Sequence, residues 1–174
     1  MENILQHDVI FFDLDYTLID SSIRYKSCID ENRNLDVVAY RATQSHSIIR
    51  HDSRTPLMGL YRAILPHQRY AITARRMENP DYHWLDRKGL QFKRIFSSDT
   101  VARWKARDGK PDGLYKRDIL KPLLNLKGFK GKSIALIDDN PSVLHEAEKL
   151  GIISYNSIDL IRSINPLYTF KAGL

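Results

Sequence analysis

The run Val9-Ile10-Phe11-Phe12 is apolar at every position and leads directly into Asp13, with Asp15 two residues further on. A short continuous run rich in β-branched and aromatic residues predicts a strand buried on both faces, as in the middle of a parallel sheet. Carboxylates are out of place at the end of such a strand unless they serve chemistry. Side chains at i and i+2 of a strand point the same way, so Asp13 and Asp15 converge at the rim where open α/β sheets bind ligands. Two like charges about 4 Å apart repel by roughly 4 kcal/mol at an effective dielectric of 20. The pair therefore asks for a cation or for one raised pKa. The bland alternative is a solvated acidic turn.

Residues 19–54 are polar and irregular, and IRYKSCI and LDVVAYRA flank the turn-prone Asp30-Glu31-Asn32-Arg33-Asn34. This pattern predicts a small β-hairpin insert. Thr55-Pro56 then opens a helix with the stripe Leu57, Leu60, Tyr61, Ile64 and Leu65, which Pro66 ends. Tyr70 to Thr73 and Phe92 to Ser97 read as strands, separated by a helix from Asn79-Pro80 that Gly89 closes. A polar basic loop, SSDTVARWKARDGKPDG, precedes a helical segment from Leu114 to Leu124 that Pro122 threatens to interrupt. Ser133-Ile134-Ala135-Leu136-Ile137 is a second buried run, and it too ends in acids, Asp138 and Asp139. Asn140-Pro141 caps the next helix, Gly151 stops it, and Ile152 to Tyr155 and SIDLIRSI complete the pattern as a strand and a short helix.

Strands alternating with helices predict an α/β, Rossmann-like fold, a parallel sheet of about five strands flanked by helices. At 174 residues the chain has the size of a single domain, 1–174, carrying its insert at about 19–54. Right-handed crossovers and a reversal of winding beside the first strand bring the ends of the first and fourth strands together. Asp13, Asp15, Asp138 and Asp139 then share one crevice.

Composition narrows the setting. No apolar run reaches the roughly 18 residues of a membrane span and the start, MENILQHD, lacks the regions of a signal peptide, so a cytoplasmic location with no membrane partner is expected. One cysteine, Cys28, excludes an internal disulfide, and no histidine pair at metal spacing points to structural zinc. A net charge of +6, with much of the excess between Arg75 and Lys132, favours a polyanionic partner or a phosphorylated substrate.

Four carboxylates around one crevice need a divalent cation, and Mg²⁺ suits oxygen ligands while leaving positions for a phosphate. Positive charge and hydrogen-bond donors should converge on the same point. Thr73 and Arg75 follow the second strand and Lys116 lies in the helix before the fourth, all within reach of the rim.

DLDYT after the first strand, Thr73 after the second, a helix-borne lysine, and IDDN after the fourth resemble the four-part signature of the haloacid dehalogenase superfamily of phosphohydrolases. The resemblance implies that Asp13 attacks phosphorus and becomes an aspartyl phosphate, and that Asp15 protonates the leaving oxygen and later deprotonates water. It implies that Thr17, Thr73 and Arg75 form the substrate- and phosphate-binding set, Thr17 supporting Asp15 and the turn and Thr73 binding the phosphoryl oxygens, and that Lys116 pairs with Asp13 and the phosphate, with Lys121 a rival at the same spacing. Mg²⁺ would bind Asp13, the backbone carbonyl of Asp15, and Asp138, with Asp139 in support. Tyr16 stands where the superfamily commonly has glycine.

Thr73-Ala74-Arg75, the basic loop and YKRDILKPLL are most similar to the 3′-phosphatase domain of polynucleotide kinase-phosphatases, where an arginine in the place of Arg75 helps hold the substrate. The expectation is a Mg²⁺-dependent phosphomonoesterase removing 3′-phosphates from nucleic-acid ends, in nucleic-acid repair. Arg103-Trp104-Lys105-Ala106-Arg107 and Lys110 would track the backbone, or else form a solvated loop with a tucked tryptophan. With no kinase half beside these motifs, a separate kinase or ligase is a partner class left open. A 5′(3′)-nucleotidase acting on free nucleoside monophosphates uses the same residues, and so does a phosphotransferase. A non-catalytic nucleic-acid-binding module would keep the fold without needing the acids. The tract Gly128 to Ser133 is not a P-loop, since it has two residues where four are needed and precedes a strand.

Overall fold

A computed structural model of the chain describes residues 2–31, 35–97 and 110–171. In chain order its strands are β1 (Val9–Phe12), β2 (Ile19–Asp20), β3 (Ser53–Arg54), β4 (Arg69–Ile72), β5 (Arg94–Phe96), β6 (Ile134–Asp138) and β7 (Ile153–Asn156). The helices are α1 (Ser22–Lys26), α2 (Val37–Ala42), α3 (His46–Ile49), α4 (Met58–Ala63), α5 (Asn79–Arg87), α6 (Asp112–Leu123), α7 (Pro141–Glu148) and α8 (Ser157–Ile164).

The five long strands form one parallel sheet in the order β5-β4-β1-β6-β7, with Phe12 beside Ala71 on one side and Ile137 on the other. The fully apolar strand takes the centre because both of its faces are covered. Ile10 and Phe12 pack with Tyr61 of α4, Trp84 of α5 and Ile161 of α8. Val9 and Phe11 pack with Ile119 of α6 and Val143 of α7 on the opposite face. Phe11 and Phe12 have no exposed surface, and burying such a side chain stabilises by roughly 1.5–3 kcal/mol. Winding reverses at β1, so the C-terminal ends of β1, β4 and β6 open on one crevice, as the strand pattern predicts. No helix among the described residues is long and apolar enough to cross a membrane.

The insert differs from expectation. Its two ends do pair, Ile19 with Arg54 and Asp20 with Ser53, but between them the described chain is mostly the short helices α1, α2 and α3 instead of a hairpin. One antiparallel bridge, Ile29 to Leu35, flanks the turn, whose residues 32–34 lie outside the described residues. The physical reason is local. Asp36 Oδ1 accepts the backbone N–H groups of Val38 and Ala39, each at 2.9 Å, and so caps α2 in a segment whose β-branched residues favour a strand. Arg24 of α1 then makes a buried two-bond ion pair with Asp52, Nε to Oδ1 at 3.0 Å and Nη2 to Oδ2 at 2.7 Å, which ties the insert's first helix to its return.

Pro122 does not interrupt α6. It sits in the last turn, where the helix is ending.

Candidate active site

The site is assembled at three strand ends. Asp13 N–H donates to Ile137 O at 2.9 Å, carrying the pairing of β1 and β6 one residue further and setting Asp13 beside Asp138. Thr73 N–H donates to Phe96 O at 2.9 Å and holds the start of the loop after β4 in the same way. Lys116 enters from α6 and places Nζ 2.7 Å from both Asp13 Oδ1 and Asp138 Oδ2. Its helix can approach because residue 113 is glycine: a Cβ there would stand 2.6 Å from the carbonyl oxygen of Ser142 in α7. Lys121 is exposed, whereas Lys116 is buried and lines the cleft, so the lysine of the site is Lys116.

Carboxylate oxygens of Asp13, Asp138 and Asp139 lie within 4.8 Å of one another. Asp138 Oδ1 also accepts the N–H of Asn140 at 3.0 Å. Burial raises Asp13 well above the usual carboxylate range; Lys116 opposes that, and Asp138, Asp139 and Asp15 reinforce it. Asp139 is pushed up to about 7, first by burial and then by Asp138. Lys116 is held protonated: burial alone would lower its pKa, but Asp13 and Asp138 raise it. Three hard oxygen donors at this spacing, two of them disfavoured as free anions, fit a divalent cation.

Asp15 points to a different neighbourhood. Arg75 Nε donates to its Oδ2 at 3.0 Å, Arg75 Nη2 donates to Oδ1, and Ser21 Oγ donates to Oδ1 at 2.5 Å. Burial would raise the Asp15 carboxyl, but the guanidinium of Arg75 outweighs it and lowers the pKa to about 2. On its other side Arg75 Nη1 donates to Asp81 Oδ1 at 2.6 Å. Asp81 is fully enclosed, and its Oδ2 accepts the N–H of Glu78 at 3.0 Å and Gln44 Nε2 at 3.3 Å.

Thr73 lines the cleft, and its Oγ1 accepts the N–H of Arg75 at 3.1 Å. Thr17 does not line it. Its side chain is completely buried below the turn with no partner for Oγ1 among the described residues, while its carbonyl accepts Thr55 Oγ1 at 2.5 Å. Tyr16 adopts φ 56°, the left-handed conformation that glycine takes without strain and other residues rarely do. Edge-on packing against Tyr25 and Phe170, with ring centroids 5.4 and 5.3 Å apart, holds it there.

The cleft measures about 370 Å³, and the insert supplies one wall through Tyr25, Leu35, Tyr40 and Gln44. None of these, nor Asp81, is signalled by a sequence motif. Their only trace is the aromatic spacing of IRYKSCI and LDVVAYRA, which a strand reading explains equally well. Arg103 to Arg107 lie outside the described residues. Lys110 is exposed and pairs with Asp118 at 3.0 Å.

The family model described as Bacteriophage T5 5′-deoxynucleotidase matches residues 1–168. The 5′-deoxynucleotidase of Escherichia phage T5 is 29% identical over 156 residues, covering 82% of this chain and 64% of that protein. The chain therefore spans just under two thirds of that relative's length. A haloacid dehalogenase-like family hydrolase from Streptococcus pneumoniae superposes with a TM-score of 0.59 at 16% identity, covering 93% of this chain and 92% of that one. A haloacid dehalogenase-like protein from Agrobacterium tumefaciens gives 0.53 at 12% identity, over 91% and 90%. These likenesses show the fold, that of the haloacid dehalogenase superfamily which the strand-end motifs resemble.

Proposed function

The chain belongs to the Bacteriophage T5 5′-deoxynucleotidase family, and from that premise we propose that it is a Mg²⁺-dependent phosphomonoesterase acting on the 5′-phosphate of free deoxynucleoside monophosphates. The observation that carries the chemistry is the cluster in which Lys116 joins Asp13 to Asp138 with Asp139 alongside. Support for a monomeric substrate comes from the family and from the cleft wall that the insert builds over the strand ends.

Asp13 attacks the phosphorus, forming an Oδ–P bond as the ester P–O bond breaks, and Asp15 gives its proton to the leaving oxygen. Asp15 is ionised in the free protein and takes up that proton with the substrate, whose phosphate adds negative charge beside it. Water then attacks the phosphorus, Asp15 accepts a proton from it, and the Oδ–P bond breaks to release inorganic phosphate and restore Asp13. Thr73 donates to the phosphoryl oxygens, and Lys116 favours the ionised form of Asp13 and aims it. Asp13, Asp138 and Asp139, with the backbone carbonyl of Asp15, would hold Mg²⁺, which supplies neutralising charge for the phosphoryl oxygens.

Removal of 3′-phosphates from nucleic-acid ends uses the same residues and draws its support from the resemblance carried by Thr73-Ala74-Arg75, the basic loop and YKRDILKPLL. One panel separates the two. Phosphate release from 5′-deoxynucleoside monophosphates should exceed release from a 3′-phosphorylated oligonucleotide, and the reverse order would replace this substrate by a polymer end.

A further inference from the structure

The guanidinium of Arg75 is already committed. Its side chain is 2% exposed and sits between two carboxylates: Nε and Nη2 form a two-bond fork with Asp15, and Nη1 donates to Asp81 at 2.6 Å. Asp81 is itself fixed by the Glu78 N–H at 3.0 Å and by Gln44 Nε2 at 3.3 Å, and Gln44 also donates to Arg76 O at 2.6 Å. Ser21 Oγ adds a second donor to Asp15 Oδ1, the oxygen that also accepts Arg75 Nη2. A cation already paired with two carboxylates, Asp15 at the cleft and the buried Asp81, offers an incoming phosphate little net attraction, whereas a planar fork is the geometry that fixes a carboxylate's orientation.

We propose that Arg75 and Asp81 form a mount for the Asp15 carboxylate, so that both are positioning residues acting through Asp15 rather than holders of the phosphate. Gln44 extends the mount into the insert. A proton-transfer group works only within hydrogen-bond reach of its target, and Asp15 stands on a tight turn after β1 with no neighbour in the metal cluster to hold it. The inference rests on the phosphomonoesterase reading and adds to it the source of Asp15's alignment.

Leaving groups separate the alternatives. An alkyl phosphate such as a nucleotide needs a proton on its departing oxygen, while p-nitrophenyl phosphate releases a stable phenolate without one, and kcat/KM reports the step in which that bond breaks. In Arg75→Lys and Asp81→Asn, kcat/KM for the nucleotide should fall about tenfold or more beyond any fall for p-nitrophenyl phosphate. The inhibition constant for inorganic phosphate should stay within about twofold. Gln44→Ala should shift in the same direction by less, and it carries the comparison together with Arg75→Lys if Asp81→Asn fails to fold. Equal losses on both substrates with weakened phosphate inhibition would make Arg75 a phosphate ligand and overturn the proposal, as would unchanged kinetics. A wild-type protein with no phosphomonoesterase activity overturns the functional reading and the mount with it; an active wild type with phosphate-weakened variants overturns the mount alone.

Discussion

Lys116 Nζ bridges Asp13 and Asp138 at 2.7 Å each, so one ammonium joins the ends of two neighbouring strands to the helix that crosses behind them. All three groups are buried. Removing the cation leaves two enclosed carboxylates uncompensated, and breaking a buried pair in this way costs about 3–5 kcal/mol. Lys116→Met should lower stability in urea by roughly that amount without metal, and by less with Mg²⁺, which takes over part of the charge. Phosphatase turnover should fall about 100-fold or more. Lys121→Met, on the exposed side of the same helix, should leave both unchanged.

Metal and pH should be linked through Asp139. Its carboxyl titrates near 7 in the folded protein, above its ordinary 3.8, so the folded state holds this proton longer than the unfolded chain does. Stability from this group therefore falls as pH rises from about 4 to about 7, and a divalent cation reverses the trend by binding the ionised form. Thermal unfolding should show a larger Mg²⁺-induced rise in midpoint at pH 8 than at pH 5. Asp15 acts in the opposite sense. Its pKa of about 2 contributes roughly 2 kcal/mol above pH 4, lost as pH falls towards 2. Asp139→Asn should raise metal-free stability at pH 8 and weaken the Mg²⁺ response.

Tyr16 combines a left-handed backbone with a buried hydroxyl that has no partner among the described residues. Tyr16→Phe should therefore be neutral or stabilising by about 1 kcal/mol, since it removes the unsatisfied group and keeps the ring contacts with Tyr25 and Phe170. Tyr16→Val should lose roughly 2 kcal/mol or more, because a β-branched side chain strains this conformation and forfeits the packing. Urea denaturation of the two variants checks the order.

Gly113 sets how closely α6 approaches α7. A Cβ would meet backbone, the Ser142 carbonyl, and backbone yields less readily than the end of a side chain. Gly113→Ala should cost about 1–3 kcal/mol by overpacking and should lower turnover by displacing Lys116, one helical turn further on. A normal turnover number in this variant would separate the helix contact from the position of Lys116.

Much of this architecture is legible in the chain. The fully apolar run before Asp13 and the one before Asp138 identify central strands, because a residue run without alternation has no wet face to offer. Right-handed crossovers and a reversal of winding beside the first strand then bring the paired acids at their ends together. The insert is less legible, since Asp36 turns LDVVAYRA into a helix with two hydrogen bonds that outweigh the β-propensity of Val37 and Val38. Asp81 is invisible for another reason. It reads as an ordinary first-turn acid after Asn79-Pro80, and its bond to Arg75 depends on how the loop after β4 folds back. The motif gives no sign of where the Thr17 side chain goes: it is fully buried and does not line the cleft.

The proposed reaction turns on Asp13 acting as the nucleophile. The most direct measurement is phosphate release from a 5′-deoxynucleoside monophosphate in Mg²⁺ by the wild-type chain and by Asp13→Asn. The wild type should release phosphate and the variant should lose at least about 10³-fold. Near-normal turnover by Asp13→Asn would contradict a nucleophilic Asp13.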